Sequence, residues 1–106
     1  MWPQLMIVNL AGKPGCFAVC GEIDIYTVPD LQDALRRAVQ AAAPGAAIMV
    51  DLSAVGFIDV RGLAALVEAD AYACVRGVGL VFAAVPDSIT RLLMITGMSL
   101  RGSAPS

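Results

Sequence analysis

The sequence predicts an α/β fold, a mixed four- to five-stranded β-sheet flanked by three to four helices, on three observations. Short apolar runs alternate with segments of helical periodicity. Two of those runs, "AAIMVDL" and "VGLVFAAV", are apolar without interruption, as strands buried on both faces are. Two β-like runs open the chain on either side of a Gly/Pro turn, which is the pattern of a hairpin.

The opening runs are Leu5–Leu10 and Cys16–Ile23, joined by "AGKPG" (Ala11–Gly15). The next segment, Thr27–Ala43, places Val28, Leu31, Leu35, Ala38 and Val39 at helical spacing, with Thr27 expected to cap it and Pro29 and Asp30 in the first turn. Pro44 and Gly45 are expected to stop this helix. Ala46–Leu52 reads as a buried strand. Val60 to about Val75 reads as a second helix with Leu63, Leu66 and Val67 on its inner stripe, closed by Gly77. Val78–Val85 is a further buried strand, and Pro86–Gly97 a third helix, begun by proline and ended by glycine. The tail is expected to give one short edge strand or to fray. Each strand–helix–strand crossover requires parallel neighbours, whereas the hairpin adds an antiparallel pair, so the sheet is mixed.

At 106 residues the chain is one domain, with its core over about 5–98 and the edge strand or frayed tail over 99–106. The 58% apolar content, much of it alanine, excludes disorder and suggests a core rich in small residues. A net charge of −2 and a pI near 4.7 argue against nucleic acid and against a polybasic membrane patch. No run of about 18 residues is apolar enough to span a membrane, and no basic residue precedes the short N-terminal apolar run, so a cytoplasmic location is expected. The cysteines number three. Cys16 and Cys20 sit about 13 Å apart if their strand is extended, beyond the reach of a disulfide. With Cys74 alone on a helix, buried reduced thiols are expected.

There is no histidine, no phosphate-cradling glycine loop and no metal-ligand spacing of cysteines, so neither an enzyme nor a cofactor is expected. Glu22, Asp24, Asp51 and Asp59 could converge at the sheet's edge and hold a divalent cation, but acids at strand ends are commonly just solvated, and no metal is expected. What remains is recognition at the end of the sheet where strands enter helices. The informative loops are "GEIDIYTVP" (Gly21–Pro29) and "AVGFIDVRGL" (Ala54–Leu63). Asp59 can accept from the free amides of the helix it precedes, and Gly62 either admits another backbone or relieves crowding. Val60 is either a surface residue at the tip or the filler of an apolar gap. Ser53 and Thr27 read as caps rather than phosphate acceptors; Ser88 is a further hydroxyl.

At these residues the chain resembles the STAS domains of bacterial anti-sigma factor antagonists. The resemblance is carried by "GEIDIYTVPDLQDAL", "IMVDLSAVGFIDVRGLAALVEA" and "VPDSITRLLMITGM", which together span most of the chain. It implies a single STAS-like domain whose partner is an anti-sigma factor of the serine-kinase type, bound so that a sigma factor is released. It further implies that phosphorylation of a serine just after the turn's aspartate breaks the complex. Here Asp59 matches the aspartate and Gly62 the glycine, but Val60 stands where the serine belongs and Arg61 follows it. A phosphoserine would bring about −1.5 to −2 charge to that helix start, which valine cannot. An antagonist without this switch is therefore expected. Its expected partner surface is an acidic rim of Glu22, Asp24 and Asp59 with Thr27, Arg61 and Gly62, and apolar contacts from Ile58, Val60 and Leu63. Other readings are an accessory subunit of a transporter or larger signalling assembly, and a redox or small-ligand sensor using the cysteines. A monomer or weak homodimer is expected, without nucleic acid or membrane insertion.

Overall fold

A computed structural model describes residues 5–10, 15–100 and 103–105. Its elements follow the order β1 (Leu5–Asn9), β2 (Cys16–Ile23), α1 (Val28–Ala41), β3 (Ala47–Ile58), α2 (Val60–Val75), β4 (Gly79–Val85), α3 (Asp87–Thr96) and β5 (Ser103–Pro105). The sheet has five strands in the order β1-β2-β3-β4-β5. β1 and β2 are antiparallel and the other neighbours parallel, as the sequence requires. The expected hairpin turn and the N-terminal residues lie largely outside the described residues.

Every crossover steps to the next strand in the same direction. Right-handed connections therefore put α1, α2 and α3 on one face of the sheet. Burial follows that geometry. Val19 and Ile23 of β2, Ile48, Val50 and Leu52 of β3, and Leu80 and Phe82 of β4 point under the helices. They meet Leu31, Leu35 and Val39 of α1, Leu63 and Leu66 of α2, and Ile89 of α3. The expected helix stripes are the buried ones, with Val28, Ala38 and Val67 packed at the margin.

Four expectations are corrected here. β3 and β4 are buried on one face only: Met49 and Val81 alternate with the core residues and are exposed. The core is built from Val, Leu, Ile and Phe82, while among the described alanines Ala65 and Ala73 are the buried ones. None of the three thiols is buried, for Cys16 and Cys20 are half-buried and Cys74 is exposed; all three are free. Finally, β3 runs on past Leu52 to Ile58, so Ser53 lies within the strand instead of at a turn. A bulge permits this. The pairing of β2 with β3 shifts between Ala18 and Cys20, and the Asp51 carboxylate accepts the Ser53 N–H at 2.8 Å across the irregularity. The strand then resumes, burying Val55 and Ile58.

α1 ends at Ala41, three residues before Pro44, where Ala42 turns extended with its N–H on the Val39 carbonyl. α3 ends as expected on Gly97, whose φ of 74° allows its N–H to reach the Leu93 carbonyl at 3.0 Å.

Candidate functional site

β2 and β3 finish side by side. Ile23 pairs with Ile58, and the Asp59 N–H donates to the Ile23 carbonyl at 3.2 Å, so the β2–α1 loop and the β3–α2 turn emerge together. This is the strand end at which the sequence places its two informative loops.

Asp59 is the N-cap of α2. Its backbone is extended, its Oδ1 accepts the Gly62 N–H at 2.8 Å, and its carbonyl accepts the Leu63 N–H at 2.9 Å. Gly62 is what lets the helix start so close to β2. A Cβ there would lie 2.5 Å from Ile23 Cγ2 and 2.9 Å from both the Ile23 carbonyl oxygen and Ile58 Cγ1. The backbone that approaches Gly62 is thus the chain's own.

The neighbouring loop is stitched by Asp24 and Thr27. Asp24 Oδ1 accepts the N–H groups of Tyr26 (2.9 Å) and Thr27 (3.1 Å). Thr27 occupies the N-cap position of α1 but makes no capping bond to the helix, which corrects the expected role. Its buried hydroxyl turns back instead, donating to the Glu22 carbonyl at 2.8 Å and accepting the Asp24 N–H at 2.9 Å. A closed loop of this kind holds the residues at its crest in a fixed place without support from the core.

Those crest residues are apolar. Ile25 is half-exposed and Tyr26 is 82% exposed; Phe57, in register with the exposed Glu22, and Val60, the first residue of α2, are half-exposed. Val60 therefore faces solvent at the tip and does not fill a gap in the core. Arg61 beside it is exposed too. The expected surface is corrected in composition. Ile58 and Leu63 are in the core and Gly62 and Thr27 are buried, so these four shape the site from beneath. Ile25, Tyr26 and Phe57 replace them at the surface. The signal for Ile25 and Tyr26 was present, as apolar residues in "GEIDIYTVP" that no strand or helix period accounts for; Phe57 alternates with the buried Ile58 on β3 and faces the side of the sheet away from the helices.

The acids do not converge. Asp24 and Asp59 are spent on N–H groups of their own loops, Asp51 on the bulge, and among the described residues no group of three or more Cys, Asp or Glu side chains is placed to hold a metal ion. Glu22 is an exposed carboxylate at the rim. The exposed part of the site is an apolar crest beside the Glu22 carboxylate. Among the described residues, no helix is long and apolar enough to cross a membrane.

Known proteins are similar to this chain in sequence and fold. An anti-sigma-B factor antagonist of Listeria monocytogenes is 37% identical over 81 residues, which is 76% of this chain and 69% of that protein. An anti-sigma factor antagonist from Mycobacterium paratuberculosis superposes with a TM-score of 0.63 at 28% identity, over 88% of this chain and 76% of the other. The unphosphorylated anti-sigma factor antagonist SpoIIAA gives a TM-score of 0.70 over 96% of this chain and 87% of its own, at 11% identity, a likeness of fold alone. The family model described as "Mlab, STAS domain" matches residues 6–100. With that match covering nearly the whole of the sheet and its helices, the chain belongs to the STAS-domain family.

Proposed function

We propose that this chain is an anti-sigma factor antagonist whose docking tip takes no phosphate. It acts in the cytoplasm by binding, without catalysis, to an anti-sigma factor of the serine-kinase type, and so frees a sigma factor. The relatives named as antagonists support the role. The observation that carries the rest is Val60, half-exposed at the first position of α2 where the family's resemblance implies a serine. A valine there can make apolar contact with a partner but offers no oxygen to a kinase, and Arg61 adds a positive charge beside it. Control of such an antagonist falls to its abundance.

The contact surface on this reading is Ile25, Tyr26, Phe57, Val60 and Arg61, rimmed by Glu22, Asp24 and Asp59. Exposed aromatics held by a rigid loop are efficient anchors, because little side-chain freedom is lost on binding. The test is incubation of the chain with its anti-sigma kinase and ATP, followed by intact-mass analysis and by titration calorimetry. The wild type is expected to bind and to stay at its unmodified mass, whereas Val60→Ser is expected to gain one phosphate. Val60→Glu, which mimics the phosphorylated tip, is expected to weaken binding by about tenfold or more, the scale of one unpaired charge in a contact. A stoichiometric phosphate on the wild-type chain refutes the missing switch; absence of binding refutes the role.

A further inference from the structure

The face of the sheet opposite the helices carries a second surface. Register aligns Cys16, Met49 and Val81 in one row, and Val8, Ala18, Asp51 and Ala83 in the next; Met6 pairs with Cys20, and Ala47 with Gly79. Met6, Val8, Met49 and Val81 are between 37% and 47% exposed. Because all three crossovers lie on the other side, nothing among the described residues covers these rows. Parallel strands are ordinarily packed on both faces, and the unbroken apolar runs of β3 and β4 are written for that situation. Here one layer of the expected burial is missing.

The four strands β1–β4, about 4.8 Å apart and each contributing about five residues at 3.3 Å, present roughly 300 Å² of sheet. A patch of that size is on the scale of the largest that a single chain exposes, and such patches are often functional. Asp51 gives this one its chemistry. It is the charged residue within these rows, near their centre, with Oδ1 accepting the Ser53 N–H and its other oxygen without a bond from the described residues.

We infer that the bare sheet face docks a second, different protein through an apolar surface bearing one basic side chain opposite Asp51. The argument against a second copy is the same carboxylate. A two-fold contact of this face on itself brings two Asp51 groups together where water is excluded, with no cation among the described residues of these rows to offset them. The modest area fits a reversible association and falls short of an obligate one. This inference does not rest on the anti-sigma reading, since its rows centre on Asp51, although Phe57 and its register partner Glu22 lie at the end of the same face.

The native cysteines report on it. Cys16 and Cys20 lie on the bare face, whereas Cys74 is exposed on α2 in the helix layer and serves as the reference. A brief iodoacetamide pulse is applied to cells making the chain and, separately, to the purified chain, and labelling at each cysteine is read by mass spectrometry. Labelling of Cys16 and Cys20 relative to Cys74 is expected to be at least threefold lower in cells than in the purified chain. In Asp51→Lys the protection is expected to disappear, and in Asp51→Asn, which keeps the acceptor for Ser53 and drops the charge, to weaken; circular dichroism checks that both variants fold. Equal labelling in cells and in isolation overturns the proposal. So does protection that survives Asp51→Lys in a folded chain. Protection in the purified chain that grows with its concentration assigns the face to a second copy, which also overturns it. Tyr26→Ala, which tests the anti-sigma surface from the β2–α1 loop, is expected to leave the protection unchanged.

Discussion

At position 62 a methyl group has nowhere to go. Its nearest neighbours would include the Ile23 carbonyl, which cannot move without shifting β2. Gly62→Ala is therefore expected to destabilise the fold by about 1–3 kcal/mol, read as a lower urea midpoint at unchanged slope. Asp59→Ala removes the cap from α2 and is expected to cost about 1 kcal/mol, whereas Asp59→Asn, which keeps the acceptor, is expected to cost less than half of that. Ala84 is the opposite case, with φ at 52° among the described non-glycine residues. The left-handed region costs an alanine roughly 1 kcal/mol, and glycine returns part of that as unfolded-chain entropy, so Ala84→Gly is expected to raise stability by about 0.5 kcal/mol. Asp59 was legible in the sequence, because a capping acid needs only its local spacing. Thr27 was not. Whether a hydroxyl caps forward or stitches backward depends on a loop closure that local spacing does not encode.

Among the elements, α1 and α2 meet along a polar seam over an apolar base. Gln32 donates to Glu68 at 3.3 Å, Gln40 to the Tyr72 hydroxyl at 3.1 Å, and the Arg36 and Arg76 guanidinium groups lie 5.9 and 5.8 Å from the centre of the Tyr72 ring. These contacts are on the outside, where each is worth little. Leu35 and Leu66 beneath belong to the core. Tyr72→Phe is thus expected to change stability by no more than about 0.5 kcal/mol, while Leu66→Ala is expected to cost about 2–5 kcal/mol, both by denaturant titration. The helix stripes were readable because 3.6-residue periodicity is a property of the element itself. The length of β3 was not: serine, alanine and glycine after Leu52 resemble the end of a strand, and only the pairing with β2 across the bulge carries it on.

At the scale of the whole molecule, the apolar core outweighs the surface charges of α1. One ion pair, Arg37–Asp33 at 2.7 Å, is on the surface of α1 with side chains 76% and 57% exposed. Such a pair is worth well under 1 kcal/mol and is screened by salt. Arg37→Ala is expected to shift stability by less than about 0.5 kcal/mol, and raising sodium chloride is expected to leave the thermal midpoint without a fall. A marked salt-induced loss would mean that charge networks hold the fold, contrary to the apolar core described above. The two surfaces share this dependence on a rigid scaffold: the crest is held by the ends of β2 and β3, and the bare face is the sheet itself.

By itself the sequence determined the order and type of the elements, the mixed sheet, the helix faces that are buried and the valine, not a hydroxyl residue, at the start of α2. Each of these is fixed by local spacing or by the identity of one residue. Tertiary structure alone decided that Ile58 and Leu63 lie under the site while Tyr26 and Phe57 stand above it, and that the sheet is covered on one face. The reason is that periodicity states which residues share a side, whereas burial depends on what packs against that side. A strand apolar on both faces reads the same whether its second cover comes from its own chain or from another protein.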